Sequence, residues 1–222
     1  MDFIEEIYQT LDLPLTSLDC GMKCAAHNPG GKPFCCDICQ VVPAVYDLEW
    51  SYLQAFNDFW HVYRGDECPA DPCNPEEVLC ETPEHMLLLA CLGPEQCRRD
   101  IRSVSCRQFP FFPYITSHGE FIGLTIEPAF RKNCWIISHL EAVTPAYRQA
   151  FVQVYDNLLS RWEHDKECYA DYSEDLRIEY AQRRQRIPIL HRNGRNYLLS
   201  PLSERLRIVP AGGFRRYGPY RG

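Results

Sequence analysis

The sequence predicts a mixed α+β fold with two long helices, short β-hairpins and an irregular cysteine-rich core. Three observations lead there. Residues 45–63 and 145–164 carry apolar side chains at helical spacing. Residues 109–126 and 187–200 hold β-rich runs around Ser117-His118-Gly119 and Asn193-Gly194, the turn chemistry of hairpins. Residues 20–43 are rich in Cys, Gly, Pro and Asn and lack apolar periodicity, so a bound ligand is expected to organise them.

The elements follow in order. Residues 2–11 predict a short amphipathic helix, with Phe3, Ile4, Ile7, Tyr8 and Leu11 on one side. In the 45–63 helix, Tyr46, Trp50, Leu53 and Trp60 share one face and Tyr52, Phe56, Phe59 and Tyr63 another, which predicts deep burial. Residues 64–84 read as an acidic, Pro-rich connection. Met86 to Leu89 begins a short helix or strand that ends by Cys91-Leu92-Gly93-Pro94. In the 145–164 helix Thr144 suits the cap and Pro145 the first turn, with Tyr147, Phe151, Val154, Leu158 and Trp162 as the core stripe. Residues 174–186 predict a further helix and 211–222 a loose end. The expected organisation is a cysteine-cluster domain over 1–143, with a helical and hairpin extension over 144–222 packed on it.

Composition narrows the class. With 45% apolar and 13% aromatic residues, the 222-residue chain is globular and can bury a core. No run approaches the ~18 apolar residues of a membrane span. The start, Met1-Asp2-Phe3-Ile4-Glu5-Glu6, lacks the basic, apolar character of a signal peptide, so a cytoplasmic location and reduced thiols are expected. Charge is uneven. Residues 177–222 hold eleven Arg against two Glu, a net +9 that leaves −16 for the rest and −7 overall. Ile187, Ile189, Tyr197, Leu198 and Leu199 in that segment want burial. The basic tail is therefore expected to pack on its own chain, with nucleic acid and membrane disfavoured as partners and a protein partner or substrate left open.

The chemistry lies in thirteen cysteines, an odd number that excludes complete internal pairing. Cys35 and Cys36 are adjacent, and one trans peptide rarely permits a disulfide between neighbours. Two neighbouring thiolates can both reach one metal. Cys20-x3-Cys24 precedes the pair, Cys39 follows it, and Cys97 and Cys106 come much later. Thiolates converging from both regions would hold zinc or an iron–sulfur cluster. The spacings match neither a zinc ribbon nor a bacterial ferredoxin run. Cys68-x4-Cys73-x6-Cys80 is a weaker second metal candidate beside solvated loop or redox cysteines. His164-x3-Cys168 reads as a helix-surface pair or a metal pair, and His27 as a substitute ligand. No G-x-S-x-G elbow, Walker loop or H-E-x-x-H is present.

Four elements in one order carry a resemblance: Cys20-x3-Cys24 leading to Cys35-Cys36; Cys91-Leu92 followed by Cys97; Cys106-Arg107-Gln108-Phe109-Pro110-Phe111; and Cys134-Trp135-Ile136-Ile137. Over roughly residues 18–140 the chain resembles the zinc- or iron-chelating CxxCxxCC family, and with it the flagellin lysine N-methylases. It departs from the family in the ten residues between Cys24 and Cys35 and in the extra Cys39, a competitor for a ligand place. The resemblance implies a metal-nucleated core with Cys20, Cys24, Cys35, Cys36, Cys97, Cys106 and Cys134 as the ligand pool. The expected cofactor is an iron–sulfur cluster, 4Fe-4S favoured, or zinc. Arg107 is expected to donate to backbone carbonyls or cluster-facing groups beside Cys106. The alternative that the resemblance implies is an S-adenosylmethionine-dependent protein lysine N-methyltransferase, for which no methyl-donor motif is visible.

Overall fold

A computed structural model describes residues 3–56, 58–68 and 85–221; Cys73 and Cys80 of the second metal candidate lie outside them. The fold is α+β, and the backbone forms two compact units, residues 1–12 with 21–109 and residues 13–20 with 110–222. The expected boundary at 143–144 falls inside the second unit. No helix among the described residues is long and apolar enough to cross a membrane.

The first unit holds helices α1 (Phe3–Thr10), α3 (Asp47–Phe56) and α4 (Val104–Gln108) with strands β1 (Ala44–Tyr46), β2 (Trp60–Val62) and β3 (Met86–Cys91). The three strands form an antiparallel sheet in the order β1-β3-β2. The helix expected over 45–63 is thus cut at both ends: Val45 pairs with Leu87, Trp60 with Cys91, and only the middle is helical. Aromatic residues favour strands as well as buried helices, and pairing with the apolar β3 settles the ends. Helix α1 places Ile4, Ile7 and Tyr8 inward, and the Tyr8 and Tyr52 rings lie 4.8 Å apart. Residues 20–43 contain one regular element, α2 (Cys20–Ala25), and a single 3-10 turn, Phe34–Cys36. Ile38 and Val42 of this segment pack on Tyr63, just past β2, and on Leu88 and Ala90 of β3.

The second unit is built on five antiparallel strands, β4 (Phe111–Ile115), β5 (Phe121–Ile126), β6 (Ile187–His191), β7 (Asn196–Leu199) and β8 (Leu206–Val209), adjacent in that order. Both expected hairpins form, and Gly194 takes φ +83° in the second. Gly123 has φ +145°, and a Cβ there would collide with the Leu190 carbonyl, so glycine is what lets β6 approach β5. Helix α5 is Trp135–Ser138, α6 is Pro145–Arg161 and α7 is Glu163–Gln182. The Thr144 hydroxyl caps α6 by accepting from the Tyr147 N–H. Tyr147, Phe151, Val154 and Leu158 form the buried stripe, and each such side chain contributes about 1.5–3 kcal/mol through burial. Helix α7 is longer than the 174–186 expected. Tyr169, Ser173, Leu176 and Tyr180 keep the helical repeat on its buried side, with polar residues between them that mask the signal.

The chain end is not loose. Phe214 and Tyr220 are buried, the Tyr217 N–H donates to the Ser138 hydroxyl, and the Tyr220 hydroxyl donates to the Asn133 carbonyl. The tail packs on its own unit through Arg192 with Asp156, Arg216 with Glu141 and Arg183 with Glu179.

Candidate metal centre

Three segments of the first unit bring thiols to one place. The 3-10 turn presents Cys35 and Cys36, whose sulfurs lie 3.9 Å apart. The turn is anchored by buried Phe34, against which Phe109 packs at 6.5 Å, and by the Asn28 amide, which donates to the Lys32 carbonyl and the Asp37 carboxylate. The second segment is the end of β3, which delivers Cys91, and the turn through Gly93 (φ +97°) that reaches Cys97. The third is α4, which carries Cys106.

Helix α4 is short, and its neighbours hold it in place. Ser103 caps it by accepting from the Cys106 N–H. The fully buried Glu49 carboxylate accepts from the Val104 N–H at 2.6 Å and from the Tyr8 hydroxyl at 2.8 Å. Arg107 uses all its donors: Nε to the Arg102 carbonyl, Nη1 to the Tyr8 carbonyl and Asp12, Nη2 to the Arg99 and Asp100 carbonyls. Its guanidinium also lies 4.5 Å from the Tyr8 ring centre. Arg107 therefore serves backbone carbonyls and ties the 99–102 turn to α1. The Trp60 indole N–H, donating to the Ile101 carbonyl, fastens the same turn to β2.

Cys35, Cys36, Cys91, Cys97 and Cys106 line one cavity of about 210 Å³, with Arg102 and Lys32 on its wall and Phe59, Trp60 and Leu92 among its apolar sides. Burial pushes the Cys106 thiol up to about 12; the Ser103 hydroxyl opposes this, while Cys36, Cys91 and Cys97 add to it. Cys91 is raised by burial and then by Cys36 and Cys97. Burial would lower Arg102, but the Cys97 sulfur that accepts its Nε–H at 3.4 Å, with Cys36 and Cys106, raises it instead. The thiols are thus near enough for their charges to oppose one another, a repulsion that a cation among them would relieve. No group of three or more His, Cys, Asp or Glu among the described residues is placed to hold a metal ion, so the expected metal-nucleated core is not seen and the five thiols line the cavity without closing on one point.

The expected ligand pool divides. Cys35, Cys36, Cys97 and Cys106 reach the cavity, and Cys91, outside that pool, joins them. Its signal was the spacing Cys91-x5-Cys97 within the resemblance. Cys24 is not on the cavity wall: its buried sulfur donates to the Gly21 carbonyl and accepts from the Phe34 N–H. Cys20 and Cys134 group with the second unit, where Cys134 is buried at the start of α5. Cys39 is not a competing ligand, because it forms a disulfide with Cys68. That cross-link departs from the expectation of reduced thiols and occupies one cysteine of the proposed Cys68–Cys73–Cys80 site. It clips the loop following Cys36 to the chain beyond β2. His27 is exposed, and His164 meets Cys168 at 3.7 Å as a helix-surface pair.

Glu49 makes a separate prediction. Burial raises its carboxyl from an ordinary 4.5 to about 7, against the opposing pull of the Val104 and Tyr8 hydrogen bonds. Below both values the acid is protonated, folded or unfolded, and contributes no pH dependence. As pH rises through 4.5 the unfolded chain ionises first, so stability falls until the folded acid ionises near 7, then levels. Urea denaturation should show a loss of about 3 kcal/mol across that window, and Glu49→Gln should flatten it. Equal pH slopes in both proteins would contradict the assignment.

Comparison with known proteins found no matching family model, no matching curated protein and no matching solved structure, so the centre is read from its own chemistry.

Proposed function

We propose that the first unit is a metal-binding module in which Cys36, Cys91, Cys97 and Cys106 hold an iron–sulfur cluster, with Cys35 on the same turn beside Cys36. One observation carries the reading: thiols from three separate segments line one cavity of about 210 Å³. Four thiolates are the usual complement of such clusters. Thiols spread along one cavity wall suit a polynuclear cluster better than one zinc ion, which draws its sulfurs in to about 2.3 Å from the metal. The motif Cys106-Arg107-Gln108-Phe109-Pro110 and its resemblance to the CxxCxxCC family favour the same class.

The chain's own residues prepare the place. Ser103, Glu49 and Arg107 fix the helix that bears Cys106. Arg102 and Lys32 put positive charge beside a thiolate-rich and therefore anionic centre. Phe59 and Trp60 limit water on the apolar side. A bound cluster would supply one-electron chemistry or structural cross-linking of the three segments.

The test is the spectrum and metal content of protein purified without oxygen. Brown protein absorbing near 400 nm, with iron and acid-labile sulfide in equal amounts, is the expected result. Colourless protein with stoichiometric zinc would replace the cluster with a zinc site, and protein free of both would end the proposal.

A further inference from the structure

A second cavity, independent of the thiols, lies within the second unit and has a volume of about 320 Å³, in the range of small-molecule sites. Its apolar part comes from Ile137, Leu140, Pro188, Leu198 and the buried Phe214. Its charged part is Arg186, Arg207 and Arg215, and no Asp or Glu lines it. Arg131, Arg177, Arg183, Arg192 and Arg216 all have carboxylate partners. Arg186, Arg207 and Arg215 make no ion pair among the described residues, and Arg215 instead lies 5.9 Å from the Tyr217 ring centre.

A neighbouring cavity of about 590 Å³ shares Gln185, Arg215 and Tyr217 with the first. Arg131, Lys132, Arg183 and Arg221 add to its lining, against Glu127 and Glu179. Glu179 is already engaged by Arg131 and Arg183. The surface leading into the first cavity is therefore also cationic. Like charges gathered without counter-charge repel one another, and a bound anion removes that cost.

We infer that this cavity binds a phosphate monoester with a flat, largely apolar body, such as a nucleoside or aryl monophosphate. Three guanidinium groups around one pocket suit a dianion with three acceptor oxygens better than a carboxylate, which offers a single negative charge and two. The apolar wall with Phe214 and Tyr217 suits a ring in place of a sugar or a bare ion. The ring would lie on the Phe214 side, with the phosphate turned to Arg186 and Arg207 at the mouth. The inference does not depend on the thiol centre.

Isothermal titration of the full chain with the four nucleoside 5′-monophosphates, 4-nitrophenyl phosphate, inorganic phosphate and adenosine tests it. At least one ring-bearing monophosphate should bind tenfold or more tightly than inorganic phosphate, and adenosine should bind more weakly still. Arg186→Ala and Arg207→Ala, both at exposed positions, should each weaken that ligand at least tenfold without moving the thermal midpoint of the free protein. Affinity should also fall as salt rises. Inorganic phosphate binding as tightly as every ester would overturn the ring assignment. No ester binding below about 1 mM, which is the weak end of useful affinity, would overturn the site. Binding unchanged in both variants would do the same.

Discussion

Serine at Cys36 or Cys106 is expected to remove most of the bound metal, as read by elemental analysis of anaerobically purified protein. Each residue brings one thiol to the cavity from a different segment, the 3-10 turn and α4. A hydroxyl has little affinity for soft metal or cluster iron at neutral pH, so losing one of four thiolates opens the site. Serine nearly matches cysteine in size, and neither position is fully buried, so the fold should survive without metal. Cys91→Ser is the discriminating variant. It should fail as Cys36→Ser does, although the motif alone did not place Cys91 in the ligand pool. Cys168→Ser, on the α7 surface beside His164, should leave metal content as it is. Wild-type metal content in both Cys36→Ser and Cys106→Ser would refute the centre.

Arg107→Ala should destabilise the first unit by about 3–4 kcal/mol, the range for a buried hub whose loss strands several partners. The side chain is almost wholly enclosed, with 3% of its surface exposed. Removing it withdraws donors from the carbonyls of Tyr8, Arg99, Asp100 and Arg102 at once. It also withdraws the cation over Tyr8, whose hydroxyl is hydrogen-bonded to Glu49. Lysine keeps the charge but offers three donors from one atom, so Arg107→Lys should recover less than half the loss. Chemical denaturation of the metal-free protein measures this apart from any ligand. A loss under about 1 kcal/mol would mean that water replaces the guanidinium at those carbonyls.

Much of the second unit was legible along the chain. Thr144, Pro145 and the stripe from Tyr147 to Leu158 state a capped, one-sided helix, and the helix is there. Asn193-Gly194 states a tight turn because a left-handed backbone is cheap at glycine, and β6 and β7 pair across it. The longer α7 was less legible because its buried side alternates with Asp, Glu and Arg, which blur the period. In the first unit the 45–63 segment misled. Its aromatic residues satisfy helix and strand patterns equally, and partner strand β3 is more than twenty residues further on.

The cysteine constellation divides along the same line. Residue type and local spacing single out residues 20–43 and 91–106 as the thiol-bearing segments, because soft chemistry belongs to the thiol itself and adjacency forbids an easy disulfide. Which thiols share a cavity depends on where β3 ends, how the Phe34–Cys36 turn is anchored and how Arg107 and Glu49 seat α4. The longest of those contacts join residues 41 to 99 positions apart. Local propensity carries no record of such distances. Tertiary pairing likewise brings Cys91 to the cavity and joins Cys39 to Cys68.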